Sequence, residues 1–225
     1  MGLFASCIAF VGLHFLLSHP LRRPLVAALG ERAFQGVYSL ISLITFGAMI
    51  YFYRIIGREP ERLWDAGDAG WIAGTLLMWL AAILFVGSFV KNPALVGSHG
   101  PVGGPTGVFR ITRHPMMWAF AIWAAVHLMI IAAPKALVFD AAIIVLALAG
   151  AFGQDRKKAR LLGEPWRDWQ RRTSILPFAA LARGALRWRN AFPGWVALIG
   201  GFALWALVTS YHAPTASPLG DLLSR

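Results

Sequence analysis

Six long apolar segments divide this chain and limit the folds that it can adopt. Mean hydropathy is +0.62, and only 14% of the residues are charged. An ordinary soluble domain is excluded by this composition. Each segment is 16–21 residues long, close to the ~20 residues with which an α-helix crosses a hydrocarbon core. The sequence therefore predicts an all-α, polytopic membrane protein of six transmembrane helices. The segments are residues 3–18, 37–56, 70–90, 115–133, 136–153 and 192–211.

We expect residues 1–212 to form one transmembrane domain, followed by a short tail over residues 213–225. Within that domain, residues 154–191 form the sizeable region outside the apolar segments, and they interleave Arg with Trp and Leu. Trp166 and Trp169 suit the headgroup layer of a bilayer, with Arg side chains directed toward phosphates. This amphipathic region is interpreted either as a membrane-surface helix or as a lid over a cytoplasmic pocket.

The first apolar segment favours a retained helix over a cleaved signal peptide. No Lys or Arg precedes Arg22, and His14 interrupts the apolar run. Cys7 is the only cysteine in the chain. A disulfide within the chain and a thiolate zinc site are therefore excluded.

Basic residues are distributed unequally between the two sides that six helices define. The loops 19–36, 91–114 and 154–191 lie on one side and carry 16 of the 21 Lys and Arg residues. Positive loops favour the cytoplasm, so we expect a multi-pass inner-membrane protein with both termini non-cytoplasmic. The net charge of +11 then indicates contact with membrane lipid, and no nucleic-acid partner is expected.

An ionisable residue stands where the fourth segment begins, in Arg113-His114-Pro115. The residue before a proline avoids the α region, whereas proline is tolerated in the first turn of a helix. We therefore predict that a helix begins at Pro115 and that the His114 imidazole points into the bundle. Arg110 and Arg113 flank it, where they are available to a lipid phosphate or an anionic substrate group.

Three of the six histidines lie within or against apolar segments, where polar groups are costly and usually functional. We expect His14 and His114 at similar depth, near the cytoplasmic side. His127 is thirteen residues beyond His114, roughly 20 Å deeper along a helix, so it does not share one small site with His114. The other histidines, which we interpret as incidental, are His19, His99 and His212.

Two facing imidazoles without nearby thiolates suit axial ligation of a haem iron, with His14 and His114 as the metal ligands. The alternative is that both rings are packing groups, hydrogen-bonded to backbone carbonyls or to each other. Structural zinc requires more ligands than this pair supplies.

Short motifs occur along nearly the whole chain: Gly12-Leu-His14, Leu29-Gly30-Glu31, Tyr38-Ser-Leu, Asn92-Pro93, Arg110-Ile-Thr-Arg-His114-Pro-Met-Met-Trp118, Trp123, His127-Leu, Asp155-Arg156, Gly163-Glu164-Pro-Trp166, Thr173-Ser and Leu176-Pro177-Phe178. In these motifs the chain resembles the NnrU family. That resemblance implies a role in nitrogen-oxide metabolism, that is, in the metabolism of nitrite and nitric oxide. Through the related 15-cis-zeta-carotene isomerases it also implies a b-type haem, held by His14 and His114 with His127 as a substitute, and redox or isomerase chemistry. If the protein is catalytic, we expect His114, Arg113 and Arg110 to be the catalytic residues.

A second resemblance, to isoprenylcysteine and phospholipid methyltransferases, keeps another enzyme class open. Those proteins share Arg-His-Pro and a Gly-Glu-aromatic tail, here beginning at Gly163, which implies S-adenosylmethionine as the alternative cofactor. Met117 departs from their pattern, in which a Tyr follows Arg-His-Pro. The third hypothesis is a non-enzymatic assembly factor or transporter that acts with a membrane enzyme partner.

Overall fold

The computed structural model describes residues 1–57, 62–94, 100–101 and 103–212, without the side chains of residues 211 and 212. These residues form α-helices and short 3₁₀ turns and contain no strand, which confirms the all-α prediction. His99, the His212 side chain and the tail over 213–225 lie outside the described part. The helices are α1 Gly2–Ser18, α2 Arg22–Leu29, α3 Glu31–Ile55, α4 Gly67–Gly87, α5 Pro115–Ile131, α6 Pro134–Leu162, α7 Glu164–Arg172, α8 Ala179–Ala182 and α9 Trp195–His212.

Each of the six apolar segments coincides with a helix, but the helices differ in their capacity to span a membrane. Among the described residues, helices α3, α4 and α6 are long and apolar enough to cross a membrane. The pair α1 and α2, bent by 68°, qualifies together as a possible fourth span. The apolar helix α5 has only 17 residues, and the apolar part of α9, Trp195–Ser210, is also short. The apolar helices are therefore compatible with a membrane protein, while six spans remain a prediction.

The chain divides into two compact units. The first unit contains Met1–Ala66 and His127–Leu146, and the second contains Gly67–Val126 and Ala147–Arg225.

In the first unit, α1 and α3 pack antiparallel. The Phe10 ring lies 5.6 Å from the Phe46 ring, and the His14 ring lies 5.4 Å from the Tyr38 ring. Residues later in α1 therefore contact residues earlier in α3. Aromatic rings between the two helices bury apolar surface, and the His14 imidazole lies among them.

In the second unit, small residues allow α4 and α9 to approach closely. A Cβ atom on Gly201 would lie 2.7 Å from Ile83 Cα, and one on Gly87 would lie 3.0 Å from Ala197 Cβ. The residue order again runs in opposite directions along the two helices, so the pair is antiparallel. Glycine at such contacts allows two helix backbones to pack at short distance.

The core of the second unit contains both tryptophans of α7. Trp166 and Trp169 are 0% and 3% exposed, and the Trp169 ring lies 6.3 Å from the Phe109 ring. The prediction that these rings lie in the headgroup layer is therefore wrong. Spacing of three residues places both rings on one face of α7, and that face packs on protein.

Helix α6 is longer than the apolar segment over residues 136–153 that predicts it. Helix α6 continues to Leu162. Residues 154–162 are polar but rich in Arg, Lys, Ala and Leu, which are good helix formers. The apolar pattern therefore ends before the helix does. A short helix, α7, begins at Glu164, with Pro165 in its first turn.

The tight α4–α9 contact predicts a position-specific cost of adding a methyl group. We expect Gly201→Ala to lower the free energy of unfolding by about 1–3 kcal/mol, because the new Cβ overlaps the Ile83 backbone. Gly150 in α6 has open space around its Cβ position, so Gly150→Ala is the matched control and should be neutral or slightly stabilising. Unfolding in mixed detergent micelles measures both. Equal effects of the two substitutions would contradict the close packing of α4 on α9.

Candidate functional site

Asp155, on α6, is the centre of a buried polar cluster in the second unit. Its carboxylate accepts two hydrogen bonds from Arg113, from Nε at 2.8 Å and from Nη2 at 3.0 Å. Trp166 Nε1 donates to the same carboxylate at 3.1 Å and Gln170 Nε2 at 2.7 Å. Four donors stabilise the ionised form, and the two-point contact with Arg113 is the stronger geometry for such a pair.

His114 lies beside this cluster. Its side chain is 1% exposed, and its Nε2 lies 3.4 Å from Asp155 Oδ1. This contact lacks hydrogen-bond geometry, and Nε2 is a buried nitrogen without a hydrogen-bond partner. A buried polar atom without a hydrogen bond costs stability, so it marks either strain or function.

The backbone before α5 is fixed by the segment that follows α7. The Arg113 N–H donates to Ser174 O at 2.8 Å, and the Phe178 N–H donates to Ile111 O at 2.8 Å. These two backbone bonds connect residues 174 and 178 to the segment that precedes α5. Residues 173–178 hold His114 in position against α6.

The two arginines expected to meet an anion are both occupied. Arg113 is buried against Asp155, so its predicted availability to lipid phosphate or an anionic substrate is wrong. The Asp155 carboxylate on α6 compensates the positive charge of Arg113. Arg110 donates to Pro105 O at 2.9 Å and to Asn190 O at 3.0 Å, and it thereby connects two loops. Catalytic roles for Arg110, Arg113 and His114 stay predictions.

A small pocket borders His114. Its volume is about 60 Å³, the room of roughly two water molecules. Side chains of mixed polarity line it: Asn92, Ala94, Arg113, His114, Pro115, Met116, Met117 and Gln154. The pocket admits a small ligand in this conformation and is much smaller than a porphyrin.

His14 lies in the first unit in a different environment. Its half-buried ring contacts Phe10 edge-on at 4.4 Å and Tyr38 at 5.4 Å. Its Nδ1 lies 2.7 Å from Phe10 O, one helical turn earlier. Ser18 Oγ donates to the Tyr38 hydroxyl at 3.3 Å. The ring is thus held by one backbone carbonyl and two aromatic faces.

The histidines are divided between the two units. His14 and His127 belong to the first unit, and His114 belongs to the second. The predicted meeting of His14 with His114 therefore stays a prediction, as does His127 as a substitute ligand. Within the described ranges, His, Cys, Asp and Glu side chains form no group of three or more that could hold a metal ion.

Sequence reasoning missed the pairing of Asp155 with Arg113. Asp155 opens a basic run on α6, and 42 residues separate it from Arg113. The sequence did contain one signal for this pairing: Asp155 is the only acidic residue in residues 154–163. However, an acidic residue among many cations at the end of an apolar helix is equally compatible with a side chain that is exposed to solvent.

These features define an all-helical protein whose apolar helices are compatible with a membrane and whose second unit has a buried ionic cluster. The sequence profile of the family described as NnrU protein matches residues 2–218. The chain belongs to the NnrU family.

Two curated plant proteins are similar to this chain. Each is named 15-cis-zeta-carotene isomerase, chloroplastic. The Arabidopsis thaliana protein is 31% identical over 163 residues, which are 69% of this chain and 44% of that protein. The Zea mays protein is 30% identical over 163 residues, 69% of this chain and 43% of its own length. The match thus covers less than half the length of these relatives. No solved structure matches the chain.

The buried cluster predicts unequal costs for two similar substitutions. Asp155→Asn leaves the Arg113 charge buried without a counter-ion, so we expect a loss of about 3–5 kcal/mol in the free energy of unfolding. Asp168→Asn is the matched control, because Asp168 also pairs with arginines but is exposed on α7. The Asp168→Asn substitution should lower the free energy of unfolding by less than about 1 kcal/mol. Unfolding of both variants in mixed micelles tests this, and a comparable loss in the control would contradict the buried role of Asp155.

Proposed function

We propose that this protein is a membrane isomerase or redox protein for an apolar substrate, with a haem b ligated by His14 and His114. The observation that carries the proposal is the His14 ring, whose Nδ1 is bound to the Phe10 carbonyl while aromatic rings flank it. A histidine that ligates a metal usually donates its other ring N–H to a carbonyl or carboxylate. The substrate class is suggested by the names of the plant relatives, which specify isomerisation of a carotene.

The donor chemistry of both histidines fits a haem. His14 has a carbonyl as its outer partner, and His114 has the Asp155 carboxylate beside its ring. Outer partners of this kind orient the histidines that ligate haem iron. The pocket at His114 is smaller than the macrocycle, so ligation there requires the side chains that line the pocket to move apart.

The side chains around each histidine have separable tasks in this proposal. Phe10 and Tyr38 shield the His14 ring and favour an apolar ligand. Asp155 orients His114, and Arg113 balances the charge of the Asp155 carboxylate. When bound, haem supplies a redox-active centre that exchanges electron density with a substrate. A cis–trans isomerisation transfers no atoms, so the protein needs no co-substrate for it.

The proposal predicts a haem absorption spectrum that depends on two histidines. The full chain, produced with haem available and purified in detergent, should show a Soret band. His14→Ala and His114→Ala should each remove most of that band, because a lone axial imidazole holds the iron more weakly. His19→Ala is the matched control, since His19 follows the same helix α1, and it should retain the band.

Folding must be checked in the same samples, because His114 borders the Asp155 cluster. Each variant should keep its helical circular dichroism and elute as the parent does. A folded parent protein without any Soret band would overturn the proposal, and so would a band unchanged in both variants. A band lost only in His127→Ala and one partner would reassign a ligand.

The same preparation tests the competing hypotheses. Retention of labelled S-adenosylmethionine without a chromophore would favour the methyltransferase alternative. A role in nitrogen-oxide metabolism, proposed from the family alone, predicts that nitric oxide shifts the Soret band of the reduced protein. Co-purification of one membrane enzyme, with neither ligand bound, would favour the assembly-factor alternative; transport in proteoliposomes would favour a transporter.

A further inference from the structure

The segment that leads into α9 exposes aromatic and cationic side chains together. Trp188 is 61% exposed, and the residues on either side of it, Arg187 and Arg189, are exposed as well. Trp195, the first residue of α9, is 69% exposed. Exposed aromatic side chains that lie together and are bordered by charge mark an interaction surface, whereas scattered ones do not. Residues 187–195 are called the α9 entry segment below.

Contacts with the second unit fix the backbone of the α9 entry segment. Arg110 Nη1 donates to Asn190 O at 3.0 Å. The Trp188 ring lies nearly parallel to the Phe178 ring, with centroids 6.4 Å apart, and the Phe178 N–H donates to Ile111 O. The exposed side chains therefore belong to a segment that is bonded to the core of its unit.

Neighbouring acids do not compensate the positive charge of the α9 entry segment. Arg187 and Arg189 form no ion pair within the part of the chain that the structure describes. The sequence has no Asp or Glu over residues 69–139 or 169–220, the two ranges that the contacts above connect. Arg110 adds a third positive charge, because its hydrogen bonds go to neutral carbonyl oxygens. Clustered cations without counter-ions attract an anionic partner.

The outer face of α9 continues this surface as an apolar stripe. Trp195, Ile199 and Phe202 are exposed and follow the spacing of one helix face. Ala197 and Gly201 lie on the opposite face, which packs on α4. An apolar stripe that begins directly after a group of cations matches the order of layers in a bilayer, where anionic headgroups border the acyl chains.

We propose that the α9 entry segment binds the headgroups of anionic phospholipids. Arg187 and Arg189 contact the phosphates, since the planar guanidinium group presents a fork of donors that fits phosphate oxygens. Trp188 and Trp195 lie at the boundary between headgroups and acyl chains, where indole rings are enriched because they combine an apolar body with one N–H donor. The headgroup-layer position predicted for the two tryptophans of α7 thus belongs to the next Trp–Arg segment of the chain.

The experiment titrates the full chain, in micelles of a neutral detergent, with fluorescent phosphatidylglycerol and with the matching phosphatidylcholine. Both lipids have a phosphate, but only phosphatidylglycerol has a net negative charge. We expect the parent protein to bind phosphatidylglycerol more tightly. The double variant Arg187→Gln/Arg189→Gln should weaken that binding about 5- to 30-fold, because each cation at an anionic lipid surface contributes roughly a fivefold factor. Its affinity for phosphatidylcholine should change little.

A control variant separates the α9 entry segment from the net charge of the chain. Arg156→Gln/Arg160→Gln lowers the net charge by the same amount at two exposed positions of α6, and it should bind phosphatidylglycerol as the parent does. Arg187→Lys/Arg189→Lys keeps both charges and should retain most of the affinity. All variants should keep the helical circular dichroism and the elution volume of the parent, because the replaced side chains are exposed.

Several results would overturn the proposal. Equal affinity of the parent for the two lipids would do so, and it would leave the exposed face of α9 to a protein partner. An equal loss in the α6 control would assign lipid binding to net charge alone. Release of phosphatidylglycerol by inorganic phosphate, but not by sodium chloride of the same ionic strength, would indicate a site for a free anion instead of a lipid.

Discussion

The arrangement of the second unit depends on one buried carboxylate, Asp155. Removing a carboxylate from water costs several kcal/mol, and the cost is offset only when charge and hydrogen bonds are both supplied. Here Arg113 supplies the charge, while Trp166 and Gln170 of α7 supply further donors. One acid thus connects α6, α7 and the residue before His114. Replacement of either charged partner leaves the other charge buried without a counter-ion, which is strongly destabilising.

The two candidate ligands differ in how they are held. His14 is fixed locally, by a carbonyl of its own helix and by aromatic neighbours on α1 and α3. His114 is fixed by residues distant in sequence, through the Asp155 cluster and the backbone bonds to residues 173–178. A histidine that ligates a metal needs such outer partners, because they set which ring nitrogen is available. The chain that holds them belongs to the NnrU family.

Local patterns in the sequence predicted the helices well and the cluster poorly. Apolar runs located the helices, and proline marked the start of α5, because both signals act over a short stretch of sequence. The end of α6 at Leu162 was missed, since helix propensity continued after hydropathy had fallen. The burial of Trp166 and the Arg113–Asp155 pair depend on tertiary packing, and an amphipathic Trp–Arg pattern is equally compatible with a lipid surface. The roles of His14 and His114 as joint ligands stay predictions.

The most direct test of this account is a double-mutant cycle on the buried ion pair, measured by unfolding in mixed micelles. Arg113→Met and Asp155→Leu each leave an uncompensated buried group, whereas the double variant removes both charges. The account predicts that the double variant loses about 1–3 kcal/mol less than the sum of the single losses. Additive losses would contradict it, because they would mean that Arg113 and Asp155 stabilise the protein independently of each other.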